Sequence, residues 1–315
     1  MKHSTSPKQL PLIVIVGPTA VGKTRLSLRL AQDFDGEIIS ADSRQVYRGL
    51  DVGTAKPTLE ERRRVPHHLI DVVAPDEAFT LAQYQELAYD AIGDVLARGK
   101  LPFLVGGTGQ YVRAVVEGWG IPRVSPNEEL RAELYRRAEM EGEAALHACL
   151  REVDPAAAER IDRCNVRRVI RALEVYLDTG HPISELQRKK PPPYRILQIG
   201  LTMGRQELYR RIDERVDRMI EAGLVEEVRG LVERGYGYDL PSMSGLGYQQ
   251  IGLYLRGQVS LEEAIQLIKR HTRRFVRHQY NWFRLNDENI HWFDVLSDSY
   301  GEIREYVTSF LESGL

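Results

Sequence analysis

The chain holds only two cysteines in 315 residues, Cys149 and Cys164. Two thiols without metal-type spacing exclude a disulfide framework and a thiolate zinc site, and they fit a reducing cytoplasmic setting. No apolar run reaches membrane-spanning length. The start, Met1 to Gln9, is polar and lacks the apolar centre of a secretory leader. A membrane partner is therefore not expected. Net charge of one sign is also missing: 43 basic against 45 acidic residues give a formal −2. That balance hides local patterning, since arginines bunch at Arg62–Arg64, Arg163–Arg171, Arg210–Arg218 and Lys269–Arg277. Acidic residues are absent from Ile265 to Arg284. Basic stripes of this kind fit a polyanionic partner, although scattered solvated faces give the same count. The rest is ordinary for a globular protein, with 43% hydrophobic and 28% charged residues. The length allows one large domain or two.

The most informative stretch is Gly17-Pro18-Thr19-Ala20-Val21-Gly22-Lys23-Thr24. The apolar run Leu12–Val16 before it reads as a buried parallel strand. After it, Leu26, Leu30 and Phe34 recur every four residues, as on a helix. Strand, glycine loop and helix form the context of a phosphate loop of the nucleotide-binding, ATP-binding kind. Gly17 and Gly22 let the backbone turn N–H groups around an anion, and the helix start adds partial positive charge. Lys23 is placed to reach the terminal phosphate and Thr24 to carry Mg²⁺. The motif says that a diphosphate or triphosphate is held, and nothing about what is done to it.

Glu37–Ala41 reads as a second strand, leading into Asp42-Ser43-Arg44-Gln45. In a doubly wound sheet, residues just past the strand ends face the ligand crevice. Asp42 is thus a candidate metal partner, general base or turn cap. Asp51–Pro66 reads as loop and Leu69–Val73 as a strand, with His67 and His68 structural. Phe79–Ala97 is an amphipathic helix with Leu81, Tyr84, Leu87, Ala88 and Ala91 on one side. The strand Leu101–Val105 runs into a second glycine turn, Gly106-Gly107-Thr108-Gly109, and a further helix.

From about Ile121 the alternation of strand and helix stops, and Lys189–Pro193 cannot continue a helix. The expected organisation is a catalytic core of residues 1–120 and 191–315 with a helical insertion at 121–190. In the insertion, Val166, Val169, Ile170, Leu173 and Leu177 form an apolar face. Arg163, Arg167 and Arg171 lie on another face, beside Arg168, and call for an anion or for local pairing with Asp162 and Glu174. Ile196–Leu201 returns as a strand. The next helix buries Leu208, Ile212, Val216, Met219 and Ile220 and turns Arg211 and Arg215 to a different side. Gly235–Gly247 is loop, and Leu261–Arg284 a basic helix interleaved with aromatics, a nucleic-acid signal. A strand at Asn289–Phe293 and a helix at Ser297–Leu311 close the chain. The fold class is α/β: a P-loop NTPase-like parallel sheet flanked by helices, with an all-helical insertion domain.

These residues carry a family resemblance. GPTAVGKT at Gly17–Thr24, DSRQVYRGLDVGTAK at Asp42–Lys56 and PHHLIDV at Pro66–Val72 resemble the bacterial-type tRNA dimethylallyltransferases. So do GGTGQYVR at Gly106–Arg113, RRVIRALEV at Arg167–Val175 and RFVRHQYNWFR at Arg274–Arg284. The blocks run in the expected order from about residue 12 to 295. The resemblance implies transfer of a dimethylallyl group from dimethylallyl diphosphate to N6 of the adenosine 3′ of the anticodon, assisted by Mg²⁺, in tRNAs reading codons that begin with U. It implies Asp42 as base, Thr108 near the acceptor, Lys23 and Thr24 on the diphosphate and its metal, and Arg211 or Arg215 as a further fork on the same oxygens. It also implies tRNA contacts at Asp42, Ser43, Arg44, Gln45, Thr108, Arg131, Arg167, Arg168, Val169, Ile170 and Arg171. The partner is the anticodon stem-loop, the flipped base entering a channel through a monomer's core.

The chemistry suits those residue types. An adenine amino group is a poor nucleophile, so a carboxylate that takes its proton helps the new C–N bond. The leaving diphosphate needs N–H donors, a lysine and a metal. Three rival functions share parts of the pattern: a small-molecule kinase with an arginine lid, a nucleotide-gated RNA-binding protein, and a relative that prenylates free adenine nucleotides. A kinase calls for a metal-binding aspartate at a strand end, for which Asp71 is the nearest candidate.

Overall fold

The computed structural model describes residues 10–297 and 299–314. The polar start, Met1 to Gln9, lies outside the described residues. The chain folds as two compact units. One runs up to Val116 and resumes at Pro193; the other is Glu117–Pro192.

The first unit alternates strand and helix. It begins β1 (Leu10–Val16), α1 (Lys23–Asp33), β2 (Gly36–Ala41), α2 (Leu59–Arg64) and β3 (His67–His68), then α3 (Leu81–Ala97), β4 (Leu101–Gly106) and α4 (Gly109–Val116). The second unit is helical: α5 (Glu128–Glu141), α6 (Glu143–Val153), α7 (Pro155–Arg160), α8 (Val166–Thr179) and α9 (Ile183–Leu186). The first unit then resumes with β5 (Tyr194–Thr202), α10 (Arg205–Glu221), α11 (Leu224–Glu233), α12 (Tyr248–Leu255), α13 (Leu261–Trp282), β6 (Ile290–Asp294) and α14 (Tyr300–Glu312).

Among the described residues six strands form one parallel sheet in the order β3-β2-β4-β1-β5-β6. β1 is covered on both faces, because successive side chains of a strand point opposite ways. Leu12, Val14 and Val16 pack with Tyr84 and Ala88 of α3 on one side. Ile13 and Ile15 pack with Leu26 and Leu30 of α1 and Ile212 of α10 on the other. This order leaves the turns after β1, β2 and β4 side by side at one edge, which is where doubly wound sheets bind ligands.

Several sequence expectations are corrected. Residues 59–64, expected as loop, form α2, opened by a capping box in which Thr58 and Glu61 satisfy each other's backbone N–H. The expected strand Leu69–Val73 is instead the two-residue β3 at His67–His68. Leu69 and Asp71 have left-handed φ of 61° and 59°, which ends the ladder. Helices α11 and α12 had no counterpart in the sequence reading. Arg163 precedes α8 and so shares no helical face with Arg167 and Arg171, and Leu177 is 58% exposed rather than part of the apolar face. His67 and His68 are held structurally, by the Val65 carbonyl and the Glu37 carboxylate.

Candidate active site at the strand ends

The loop between β1 and α1 has the strained backbone of an anion cradle. Gly17 and Gly22 take φ of 145° and 110°, and Ala20 takes 69°. A Cβ on Gly17 would stand 2.6 Å from the Leu201 carbonyl oxygen, so only glycine fits. Lys23 Nζ donates to the Gly17 and Pro18 carbonyls at 2.9 Å each, folding over the loop. Burial and the Arg215 guanidinium pull its ammonium down to about 8, with Asp42 acting the other way. Not every expected loop position offers a donor. Pro18 has no N–H. The Thr19 N–H is already bound to Gln279 Oε1 at 2.9 Å, and the Val21 N–H turns back to the Pro18 carbonyl at 3.4 Å. The loop N–H groups with no bond of this kind are those of Ala20, Gly22, Lys23 and Thr24; the last two open α1 and have no partner within the helix. Thr24 itself is exposed.

Past β2, Asp42 Oδ1 accepts the Arg44 N–H at 2.9 Å and so caps its own turn. Asp42 also lines a cavity of about 270 Å³ shared with Thr19, Lys23, Thr108 and Arg215. Capping with one oxygen does not prevent reaction at the other. Thr108, in the turn after β4, accepts the Ser43 N–H on its hydroxyl at 3.0 Å and donates its own N–H to the Ala41 carbonyl. The two turns are thereby locked together. Arg44 reaches the Pro241 carbonyl at 2.6 Å and the Ser244 hydroxyl at 3.3 Å, fixing the loop that closes the cavity. Gln45 accepts from Ser40 and donates towards the Thr54 and Ala55 carbonyls, so its side chain faces inward.

α10 and α13 supply a further wall of the cavity, and much of it is apolar, with Ile212, Val216, Met219, Ile268 and Phe275. Arg215 projects into it; burial drags the guanidinium below its ordinary range, and Asp42 opposes that. Arg211 does not line the cavity. It pairs with Glu207 one turn earlier, Nε to Oε1 at 2.8 Å, so of the two expected forks only Arg215 faces the site. The basic stripe of α13 is partly neutralised as well. Lys269 pairs with Asp217 at 2.6 Å and Arg273 with Asp213, which also fixes α10 and α13 antiparallel. Arg270, Arg274 and Arg277 remain exposed.

In the helical unit the expected arginines divide. Arg131 and Arg171 both bind the fully buried Glu174, at 2.9 and 2.6 Å, so local pairing accounts for them. Val169 and Ile170 are 0% and 2% exposed, inside the unit's own core, which leaves their side chains nothing to offer a partner outside it. Arg167 and Arg168 are exposed and form no ion pair among the described residues.

Sequence reading missed three devices. Gln279 of α13 bridges the first and third turns. Glu227 of α11 accepts three consecutive N–H groups, those of Asp51, Val52 and Gly53, and the Tyr248 hydroxyl at 2.5 Å. This pins the 51–54 turn, whose Gly53 and Thr54 line the cavity. Buried Lys56 binds Asp51 and Asp71 at 2.7 and 2.5 Å, and Arg62 takes the other Asp71 oxygen. Asp71 is therefore engaged, which removes the nearest candidate for a kinase's metal-binding aspartate. No local pattern marks these groups; a lysine inside an otherwise glycine- and proline-rich stretch was the one available hint. Among the described residues no group of three or more His, Cys, Asp or Glu side chains stands where it could hold a metal. No helix among them is long and apolar enough to cross a membrane.

Residues 45–286 match the family described as "IPP transferase". A tRNA dimethylallyltransferase of Roseiflexus sp. (strain RS-1) is 62% identical over 275 residues, 87% of this chain and 90% of its own. The crystal structure of a tRNA isopentenylpyrophosphate transferase from Bacillus halodurans superposes with TM-score 0.72 at 46% identity, over 96% of this chain and 97% of that one. A eukaryotic dimethylallyltransferase crystallised acting on tRNA gives TM-score 0.83 at 28% identity, over 96% and 80%.

Proposed function

This chain belongs to the IPP transferase family, and on that premise we propose that it transfers a dimethylallyl group from dimethylallyl diphosphate to tRNA. The acceptor atom is N6 of the adenosine 3′ to the anticodon, in tRNAs that read codons beginning with U. The observation that carries this reading is one cavity holding a carboxylate, Asp42, against two cations, Lys23 and Arg215, with an apolar chamber beyond them. An allylic diphosphate needs both halves of such a site: charge for its head and apolar wall for its tail.

The adenine amino nitrogen attacks C1 of the donor. The C–N bond forms as the C–O bond to diphosphate breaks, and the proton on nitrogen passes to the Asp42 carboxylate. Lys23, Arg215 and the N–H groups at the start of α1 stabilise the charge that collects on the departing diphosphate. The Thr108 hydroxyl, anchored to Ser43, keeps Asp42 aimed at the acceptor. The donor set fits Mg²⁺ in one respect: that ion binds through few protein groups and substrate phosphates rather than a protein cage. Thr24 would hold it, and it would supply further neutralisation of the leaving group.

In the helical unit, Arg167 and Arg168 offer unpaired charge to the phosphates of the anticodon stem. The chain acts on tRNA as a monomer in the cytoplasm. Incubation of the protein with labelled dimethylallyl diphosphate and bulk tRNA, followed by nucleoside analysis, tests this. Label is expected in N6-dimethylallyladenosine. Consumption of ATP with no labelled nucleoside would refute it in favour of a kinase.

A further inference from the structure

Gln279 takes no part in the chemistry above, yet it is 4% exposed and its amide faces two turns at once. Its Oε1 accepts the Thr19 N–H at 2.9 Å, and its Nε2 donates to the Gly107 carbonyl at 3.0 Å. Thr19 belongs to the loop that grips the diphosphate. Gly107 precedes Thr108, whose hydroxyl holds the Ser43 N–H beside Asp42. The β1–β4 ladder last pairs Ile15 with Val105, so the turns beyond it are joined by side chains rather than by sheet bonds. Gly107 has no room for a side chain here: a Cβ on it would stand 2.3 Å from the Gln279 amide nitrogen.

We infer that Gln279 is a positioning residue that fixes the donor loop against the acceptor turn, and so sets the separation between the diphosphate at Lys23 and the amino group at Asp42. This rests on the donor and acceptor proposed above. A primary amide presents an acceptor and a donor in a fixed plane. Asparagine has the same amide on a stem one methylene shorter and spans less distance; leucine has the bulk without the bonds. Displacement at carbon requires nucleophile, carbon and leaving oxygen in line, and a misplacement of about 1 Å costs on the order of 100-fold in rate. Gln279 borders the same cavity, but both ends of its amide are taken, by the Thr19 N–H and the Gly107 carbonyl, so its loss acts on the rate of the bound complex rather than on binding.

The test is steady-state kinetics on the full chain with dimethylallyl diphosphate and tRNA, beside thermal melting. Gln279→Ala is expected to lower kcat about 100-fold while KM for each substrate stays within about threefold. Gln279→Asn, the variant least disturbing to the fold, is expected to show the same split. Gly107→Ala pushes the amide away from the other side, and Gln279→Ala with Gly107→Ala is expected to be no slower than the slower single variant, because both cut one bridge. Multiplying defects in the double variant would overturn the inference. So would a loss confined to KM, a rate loss that follows lowered melting temperature, or an active Gln279→Asn. A wild-type chain that transfers nothing would remove the functional proposal and this one together; an active wild type beside an equally active Gln279→Ala would remove this one alone.

Discussion

Lys23 and Arg215 place two cations in a partly closed cavity before any anion arrives, and each is held below its ordinary range mainly by burial. A consequence can be measured with inorganic diphosphate. The free Lys23 ammonium titrates at about 8, and only its charged form meets the anion. Affinity is therefore kept below pH 8 and weakens as pH rises through it, with a proton taken up on binding above that value. Titration calorimetry in buffers of different ionisation heat counts that proton, and Lys23→Met is expected to lack the inflection. A second residue contrast concerns the two arginines of α10. Arg215→Ala should lower kcat/KM by roughly 10²- to 10³-fold, the range for losing one donor to a charge that develops in the transition state. Arg211→Ala should change it by no more than about twofold, since Arg211 is occupied by Glu207. The sequence shows both arginines on one helix side but not which of them enters the site. Glu207 four residues before Arg211 was the available sign, an i,i+4 pair that takes one arginine out of contention. Gln279 gave no such sign, because its two bonds reach 260 and 172 residues away.

Single elements explain both the successes and the errors of sequence reading. β1 and β4 are continuous apolar runs, and burial on both faces makes such strands easy to see. β3 failed because apolar content alone suggested a strand over Leu69–Val73, whereas left-handed turns at Leu69 and Asp71 end it. α2 is hidden because its one signal, the capping box from Thr58 to Glu61, sits inside a stretch whose glycine and prolines suggest loop. The arginine face of α8 was half legible. Its charge and the pairing of Arg171 with Glu174 three residues on were visible, but that Glu174 is buried and also claims Arg131 follows from packing rather than spacing. Glu174 supplies an element-scale prediction. Burial pushes its carboxyl up, but Arg131, the Asn127 N–H and Arg171 together hold it below the usual range. Its contribution is present above the ordinary glutamate range and is lost as pH falls through the lowered value. Glu174→Gln should destabilise the helical unit by about 1.5–3 kcal/mol, read by denaturant unfolding. Arg167→Ala with Arg168→Ala should instead leave stability unchanged. It should weaken tRNA binding and flatten the log–log salt dependence by roughly 0.7–0.9 for each phosphate no longer neutralised.

Across the whole molecule, one sheet edge gathers groups that are far apart in sequence: Lys23, Asp42, Thr108, Arg215 and Gln279 meet around one cavity. Strand-loop-helix order predicts that the first three share an edge. It does not predict that α10 and α13 close over them, because their register depends on Asp213–Arg273 and Asp217–Lys269 pairs formed between distant segments. The central claim is that Asp42 takes the proton from the attacking nitrogen. The most direct measurement is a single-turnover transfer rate for Asp42→Asn beside wild type, with tRNA and dimethylallyl diphosphate both saturating. Asparagine keeps the cap on the Arg44 N–H but cannot accept the proton. The rate of the bound complex should fall by about 10²- to 10⁴-fold while both dissociation constants stay near wild type. A variant that transfers at the wild-type rate once both substrates are bound would contradict the role assigned to Asp42.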